Sequence, residues 1–330
     1  MTTGPTTSLR DRAVSHLVRA AVLAPSPHNS QPWSFTRVGG ALLVYADGRR
    51  RLRVSDPDGR QLVISCGAAL FNIRLTMRQL GFQPVVSPFP DSGPPALLAR
   101  VEWGAYVRAT ADEELMHRAM RRRHTHRGPF SDTPVTASLI EELRQHAHAE
   151  GAELHSLDDS AAQRRLIRLV RDAEVRERRT GRYVQERDAW TRWYGDDRAD
   201  GVHAEARAFH PDCTALAGRD YTGVTRRGAA TQPRSPRSGR TGVMVLLTTR
   251  RDTRRDWLHA GQALQRVLLY AAGHDVTAGF HTQPLEFADL RASVRTLVPS
   301  GQHPQLVLRL GHANWLTPAP RRPVSEVLTY

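Results

Sequence analysis

The stretch richest in groups that could do chemistry lies between residues 24 and 33. It reads Ala-Pro-Ser-Pro-His-Asn-Ser-Gln-Pro-Trp, and its three prolines fix a non-helical path. A stiff loop crowded with short donors and acceptors suits a flat heterocycle. An ordinary capped turn has a similar composition, so the loop alone leaves both interpretations open. The candidate binding residues in it are Ser26, Pro27, His28, Asn29 and Gln31.

A second cluster, Arg121-Arg122-Arg123-His124-Thr125-His126-Arg127, comes much later in the chain. Arginine holds phosphate through a planar, permanently charged fork, and a neighbouring hydroxyl adds a further donor. The cluster is therefore a candidate phosphate site. A solvated charge run, a nucleic-acid patch and a metal site at His124 and His126 are the alternatives. No Cys or acidic residue stands near the two histidines in the sequence, so we expect no metal.

Composition limits the remaining function classes. The 330 residues carry a formal charge of +14, and all 47 basic residues are arginines. These arginines are spread along the chain without a zinc-finger, RNA-recognition or basic-zipper pattern, so we expect no nucleic-acid binding. The only cysteines, Cys66 and Cys213, exclude a disulfide-built fold. With no long apolar run and no apolar leader, we expect a cytoplasmic protein that does not enter a membrane.

Periodicity predicts helices that alternate with strands. Helices are expected around Leu9–Val22, Cys66–Leu80, Asp112–Arg121, Ala137–His148, Leu166–Ala173 and Trp257–Ala272, and strands at Trp33–Val38, Ala41–Ala46, Pro84–Ser87, Ala96–Trp103, Glu153–Leu157, Gly242–Thr249 and Gln305–Leu310. Residues 183–240 have an irregular polar composition, and their end at 226–240 is predicted to be a mobile loop.

Two helix-opening segments echo each other. Cys66-Gly67-Ala68-Ala69-Leu70 and Ala260-Gly261-Gln262-Ala263-Leu264 each begin an apolar run between strand signals. Their small residues let a helix approach its neighbour closely. The echo indicates two related halves.

Together these motifs resemble the FMN-dependent nitroreductase superfamily. Residues 24–33 match its flavin loop, Ala-Pro-Ser-x-x-Asn-x-Gln-Pro-Trp, and residues 123–127 resemble its phosphate and ribityl segment. Thr282–Glu286 resembles the Pro-x-Glu-Gly stretch beside the flavin ring, although Phe287 replaces the Gly. The resemblance implies that FMN is bound by the loop residues above, by Arg123, His124, Thr125 and Arg127, by Gln283, Pro284, Leu285 and Glu286, and by Arg321 or Arg322.

The order of the motifs resembles the Acg subfamily, in which nitroreductase-like halves are fused. Ordinary members are homodimers, and their arginine segment precedes the loop. Here the loop comes first, so residues 1–118 would supply it and residues 119–330 the arginines. The implied fold is α+β, with a mostly antiparallel central sheet, flanking helices and a pseudo-dimer in one chain. A pseudo-dimer within one chain permits a monomer, and a homodimer is the alternative.

The resemblance implies an oxidoreductase in which NADPH or NADH reduces the flavin and a small organic molecule accepts the electrons. Flavin-dependent oxidation of a small organic molecule is the other reaction that it implies. It assigns no catalytic acid or base. The resemblance to Acg-type proteins also implies a segment that can cover the flavin. Residues 183–240, which we call the lid segment, are the candidate, and a surface insertion is the alternative interpretation. The alternative function is a protein that stores FMN beneath this lid segment with little turnover.

Overall fold

The computed structural model describes residues 9–91, 93–207, 210–221, 223 and 240–329. Its helices are α1 (Leu9–Ala21), α2 (Arg60–Gln79), α3 (Ala111–Ala119), α4 (Ala137–His148), α5 (Ser160–Arg179), α6 (Gly181–Ala189), α7 (Arg254–Gly273), α8 (Ala288–Arg295) and α9 (Val324–Val327). Its strands are β1 (Trp33–Val38), β2 (Ala41–Ala46), β3 (Phe82–Pro88), β4 (Leu97–Tyr106), β5 (Glu153–Ser156), β6 (Val243–Thr249), β7 (Val276–Phe280), β8 (His303–His312) and β9 (Leu328–Thr329). The fold is α+β, as the sequence predicts.

The strands form two sheets rather than one central sheet. Their orders are β3-β4-β2-β1-β9 and β5-β6-β8-β7. Pairing is antiparallel throughout, except that β9 lies parallel to β1, with Phe35 opposite Leu328. The end of the chain therefore returns to complete the first sheet, and this return carries Arg321 and Arg322 back toward the loop at residues 24–33.

Helices α2 and α7 cross at the two glycines of the repeated segments. A Cβ on Gly67 would lie 2.3 Å from the Leu258 carbonyl oxygen, and a Cβ on Gly261 would lie 2.0 Å from that of Ile64. Both positions therefore require glycine for the backbones to touch. Near the crossing, the Gln265 amide donates a hydrogen bond of 2.8 Å to Asn72 Oδ1. The segments that echo each other in sequence thus face each other in space.

Helix α2 is buried along most of its length because it contributes to two hydrophobic cores. Val63, Cys66 and Leu70 pack toward the first sheet, whereas Ile64 and Phe71 join α7 and the second sheet. This arrangement explains why its apolar residues cover more than one face. It also makes α2 the central element that fixes the two sheets relative to each other.

Several elements differ from the prediction. The lid segment begins within α6, which periodicity misses because only the Arg187 side chain of this polar helix is buried. Glu186 in α6 instead docks through hydrogen bonds, accepting from the Val54 and Ser55 amides at 2.8 and 2.9 Å. The sequence pattern also does not predict strands β7 and β9 or helices α8 and α9. Apart from Arg240, the predicted mobile loop at 226–240 lies outside the described residues.

In the part of the chain described above, no helix combines the length and apolarity needed to cross a membrane.

The glycine crossing predicts a position that tolerates no side chain. We expect Gly261→Ala to lower the free energy of unfolding by about 1–3 kcal/mol or more, because the added methyl must push two backbones apart. Urea denaturation followed by circular dichroism measures the change. Gly40→Ala is the matched control, since a Cβ there meets no atom within 4 Å. Equal stabilities for the two variants would contradict the close approach of α2 and α7.

Candidate functional site

The early loop and the later arginines line one cavity. Including its opening to solvent, the cavity has a volume of about 1440 Å³. The cavity is lined by residues 25–29 of the loop, 123–127 of the arginine segment, His281 and Thr282, and Arg321. Residues of α2, including Gln61 and Ser65, form part of its wall. Segments that are far apart in the sequence therefore converge on one site.

The loop holds an unusual backbone conformation. His28, Asn29 and Gln31 have φ angles of +51°, +54° and +49°. Positive φ is uncommon for residues other than glycine, and each such residue costs of order 1–3 kcal/mol. The backbone N–H of Gln31 donates to Ser26 Oγ at 2.9 Å, and the side-chain Oε1 of Gln31 accepts from the backbone N–H of Arg322 at 2.8 Å. A strained loop braced from both sides is typical of a site whose geometry matters for function.

Asn29 joins the loop to the end of the chain. Its side-chain amide donates to the Pro320 carbonyl at 3.1 Å, and its oxygen accepts from Arg321 Nη1 at 3.0 Å. The Arg321 guanidinium is therefore fixed at the cavity wall before any ligand arrives.

Arg123 and Arg321 carry positive charge without a carboxylate partner among the described residues. Arg123 is 5% exposed and donates to the Leu23 carbonyl at 3.2 Å. Burial, and then the charge of Arg321, lower the pKa of Arg123 to about 9. Burial lowers the pKa of Arg321 to about 10. Two guanidiniums held in this way favour an anion between them, since buried charge is costly unless it is paired.

Four polar atoms of the cavity wall are buried without a hydrogen-bond partner in the described structure. They are Arg123 Nε, Arg321 Nε, His124 Nδ1 and Thr282 Oγ1. Buried polar atoms of folded proteins are nearly always hydrogen-bonded. Because these four all line one cavity, they fit a polar ligand with an anionic group.

The arginine segment runs beside strand β7. Thr125 forms a parallel bridge with Ala278, and the His126 amide donates to the Ala278 carbonyl at 2.9 Å. Burial, and then the charge of Arg123, lower the pKa of His124 to about 4, so its imidazole is neutral near pH 7. The Arg127 guanidinium lies 5.8 Å from the centre of the Tyr221 ring. The second sheet thus presents this whole segment to the cavity.

Some predicted site residues stand behind the cavity wall. Gln31 and Arg322 brace the loop and are not among the lining residues. Gln283, Pro284, Leu285 and Glu286 are likewise outside the lining, and His281 and Thr282 take their place. Glu286 is buried, forms an ion pair with Arg219 and accepts from Gln61 at 3.1 Å. Direct contacts of these six residues with a ligand stay predictions.

The lid segment supplies lining residues that the sequence did not indicate. These are Arg207, His210, Pro211, Gly218, Arg219 and Tyr221. Arg219 forms ion pairs with Glu177, at 2.9 Å, and with Glu286, so its charge is balanced. The irregular composition of the segment gave no spacing from which these residues could be singled out.

The lid segment is fastened to the loop itself. Ala199 accepts from the Gln31 side chain at 2.7 Å, and the Gly201 amide donates to the Asn29 carbonyl at 3.3 Å. Asp200, between them, forms an ion pair with Arg50, whose Nε donates to the Ser30 carbonyl at 2.6 Å. The loop and the part of the lid segment around residue 200 therefore form one hydrogen-bonded unit.

Five arginines line the cavity and no carboxylate does, among the residues the structure describes. With Arg219 neutralised by its two glutamates, the wall retains a positive field that suits a phosphorylated ligand. No group of three or more His, Cys, Asp or Glu side chains in the described ranges is arranged to hold a metal ion.

Comparison with known proteins gives the family. The profile described as "Nitroreductase family" matches residues 120–312. A putative NAD(P)H nitroreductase of Mycobacterium tuberculosis, Rv3131, is 32% identical over 96% of this chain and 91% of its own length. This chain belongs to the nitroreductase family. Members of that family are oxidoreductases, and the chain is one.

Other relatives cover the chain equally well. The putative NAD(P)H nitroreductase acg of M. tuberculosis is 28% identical over 98% of this chain and 97% of its own length. The uncharacterized M. tuberculosis protein Rv3127 is 30% identical over 96% of this chain. Among solved structures, a nitroreductase with bound FMN from Desulfitobacterium hafniense is 16% identical, covers 66% of this chain and 97% of its own, and has a TM-score of 0.38.

Proposed function

We propose that the chain binds one FMN and uses it to transfer electrons from NADPH or NADH to a small organic acceptor. The proposal rests on one observation. The loop at residues 24–33 lines the same cavity as Arg123 and Arg321, and four polar atoms of that cavity wall are buried without a hydrogen-bond partner in the described structure. The names of the relatives, which include NAD(P)H nitroreductases, support it.

The residues present fit FMN in charge and in hydrogen-bonding capacity. Its phosphate carries up to two negative charges, which Arg123 and Arg321 would balance, and Thr125 would add a hydroxyl donor. Ser26, Pro27 and Asn29 would lie along the ring and ribityl chain. His124 is neutral, so it would contact the ligand through a hydrogen bond rather than a charge. When bound, FMN supplies the capacity to accept and release hydride, and the chain binds and orients it.

The two-halves interpretation is part of this proposal. Residues 1–118 would correspond to one nitroreductase-like half and residues 119–330 to the other. The mutual contact of Gly67 and Gly261 supports it, as does the division of the strands into two sheets. One chain would then hold one complete cavity, so a monomer would suffice for function. As part of the same proposal, we expect the substrate to be a small molecule and the protein to act in the cytoplasm.

Storage of FMN is the second candidate function. Contacts between the loop and the lid segment favour storage, because they tie that segment to the loop beside the proposed flavin. They are the hydrogen bonds that Gln31 and Asn29 form with the lid segment and the ion pair between Arg50 and Asp200. A lid that stays closed would exclude both the nicotinamide donor and the acceptor.

Anaerobic stopped-flow absorbance separates the two functions. We expect NADPH or NADH to bleach the bound flavin of the wild-type protein, and menadione to restore its colour. Bleaching that appears only after Asp200→Ala has loosened the lid segment would support storage. Flavin that neither nicotinamide reduces, in either protein, would contradict the reductase proposal.

The variant Arg123→Ala tests whether Arg123 binds the phosphate of FMN. A hydrogen bond to a charged group is worth about 1.5–3 kcal/mol, so we expect Arg123→Ala to weaken FMN binding about 10- to 150-fold. Quenching of flavin fluorescence during titration of the flavin-free protein measures the affinity. Arg122→Ala is the matched control, because the neighbouring Arg122 is exposed and pairs with Asp275. An unchanged affinity in Arg123→Ala would refute the assignment.

A further inference from the structure

Two proton-bearing side chains meet inside the cavity, and the family resemblance assigns no proton donor there. His28 Nδ1 lies 3.0 Å from the Tyr221 hydroxyl oxygen, and the two rings meet edge to face with centroids 5.6 Å apart. Both residues line the cavity, and they are 6% and 9% exposed. One comes from the loop and the other from the lid segment.

The electrostatic surroundings define how this pair hydrogen-bonds. Burial, followed by the charges of Arg219, Arg187 and Arg127, holds the pKa of His28 well below its ordinary value. The imidazole is therefore neutral near pH 7 and carries one N–H. In the tautomer with the proton on Nδ1, His28 donates to the Tyr221 oxygen. The phenolic O–H is then free to point at a molecule in the cavity.

The surroundings also favour a phenol that is protonated at rest. Burial raises the pKa of Tyr221. The charges of Arg127 and Arg219 lower it, and those of Glu177 and Glu174 raise it. The Arg127 guanidinium lies 5.8 Å from the ring centre. A phenolate formed in the cavity would receive a hydrogen bond from His28 and the favourable charge of Arg127, which offset part of the cost of its burial.

We propose that Tyr221 is a catalytic residue that donates a proton to the acceptor substrate, with His28 as its positioning residue. The proposal rests on the proposed function. In the step, the acceptor gains two electrons and one hydrogen as hydride from the reduced flavin. The Tyr221 O–H bond breaks as the new bond between hydrogen and the acceptor forms. After the reduced product leaves, the phenolate takes a proton from water, and the cycle is balanced.

If Tyr221 donates a proton, only some classes of acceptor depend on its hydroxyl. Hydride alone leaves a quinone, a nitro group or an activated alkene as an anion that needs a proton to give the neutral product, whereas an outer-sphere oxidant such as ferricyanide takes single electrons and no proton. Tyr221 should therefore matter for the first class and not for the second. A purely structural contact between the lid segment and the loop would affect both classes alike.

The test is the re-oxidation of the reduced holoprotein in single-turnover stopped flow. Dithionite reduces the flavin, so the measurement does not depend on the nicotinamide donor. We expect Tyr221→Phe to slow re-oxidation by menadione about 100-fold or more and to leave that by ferricyanide unchanged, because general acids contribute about 10²–10⁴-fold. The wild-type rate with menadione should also fall in deuterium oxide, and this isotope effect should be lost in the variant.

Two further variants control for structural effects. Tyr183→Phe removes a hydroxyl from the ring that stacks on Phe287, outside the cavity lining, and should change neither rate. His28→Asn keeps a residue type that tolerates positive φ and leaves the Tyr221 hydroxyl in place, so it should slow menadione reduction less than Tyr221→Phe does. FMN affinity, measured by fluorescence, should be the same in Tyr221→Phe as in the wild type.

The outcomes separate this proposal from the proposed function. Equal slowing with both oxidants, or weakened FMN binding in Tyr221→Phe, would assign Tyr221 to structure and overturn proton donation. An unchanged rate with menadione would also overturn it, because water would then supply the proton. Failure of NADPH and NADH to reduce the flavin would count against the reductase function alone, since the dithionite experiment would still report on Tyr221.

Discussion

The uncompensated positive charge of Arg123 and Arg321 is the constraint on which the rest of this structure depends. The guanidiniums are held by backbone carbonyls and by Asn29, and no carboxylate of the described chain lies within ion-pair distance of them. A fold that keeps such a pair gives up stability unless something negative completes it. The cavity, the loop at residues 24–33 and the returning end of the chain all lie around these two arginines.

The loop and the lid segment are coupled through hydrogen bonds and through the ion pair between Arg50 and Asp200. Asn29 contacts the lid segment through its backbone carbonyl and the returning end of the chain through its side chain. The side-chain amide of Gln31 contacts both. A ligand that settles against this loop therefore reinforces contacts that also hold the lid segment. Electron transfer and flavin retention consequently make opposite demands on the same few hydrogen bonds, which is why reductase and storage functions compete as explanations of this chain.

The sequence predicts what depends on local pattern and misses what depends on distant packing. The helix over Ala137–His148 and the strands Trp33–Val38 and Ala41–Ala46 follow from periodicity and are confirmed, with Thr136 capping the helix and the two strands paired antiparallel. Strand β9 has only two residues and exists because Leu328 meets Phe35, a contact that no local pattern announces. The predicted site divides in the same way: the loop and Arg123 line the cavity, whereas Tyr221 reaches it through an irregular segment with no period to recognise.

The most direct test of the central claim is the cofactor content of the purified full-length protein, measured from its absorbance spectrum and from the flavin released on denaturation. We expect a yellow protein with one FMN per chain, because in the described residues one loop and one pair of arginines line the same cavity. Two FMN per chain would contradict the single-site arrangement. A colourless protein that does not take up added FMN would contradict the account as a whole.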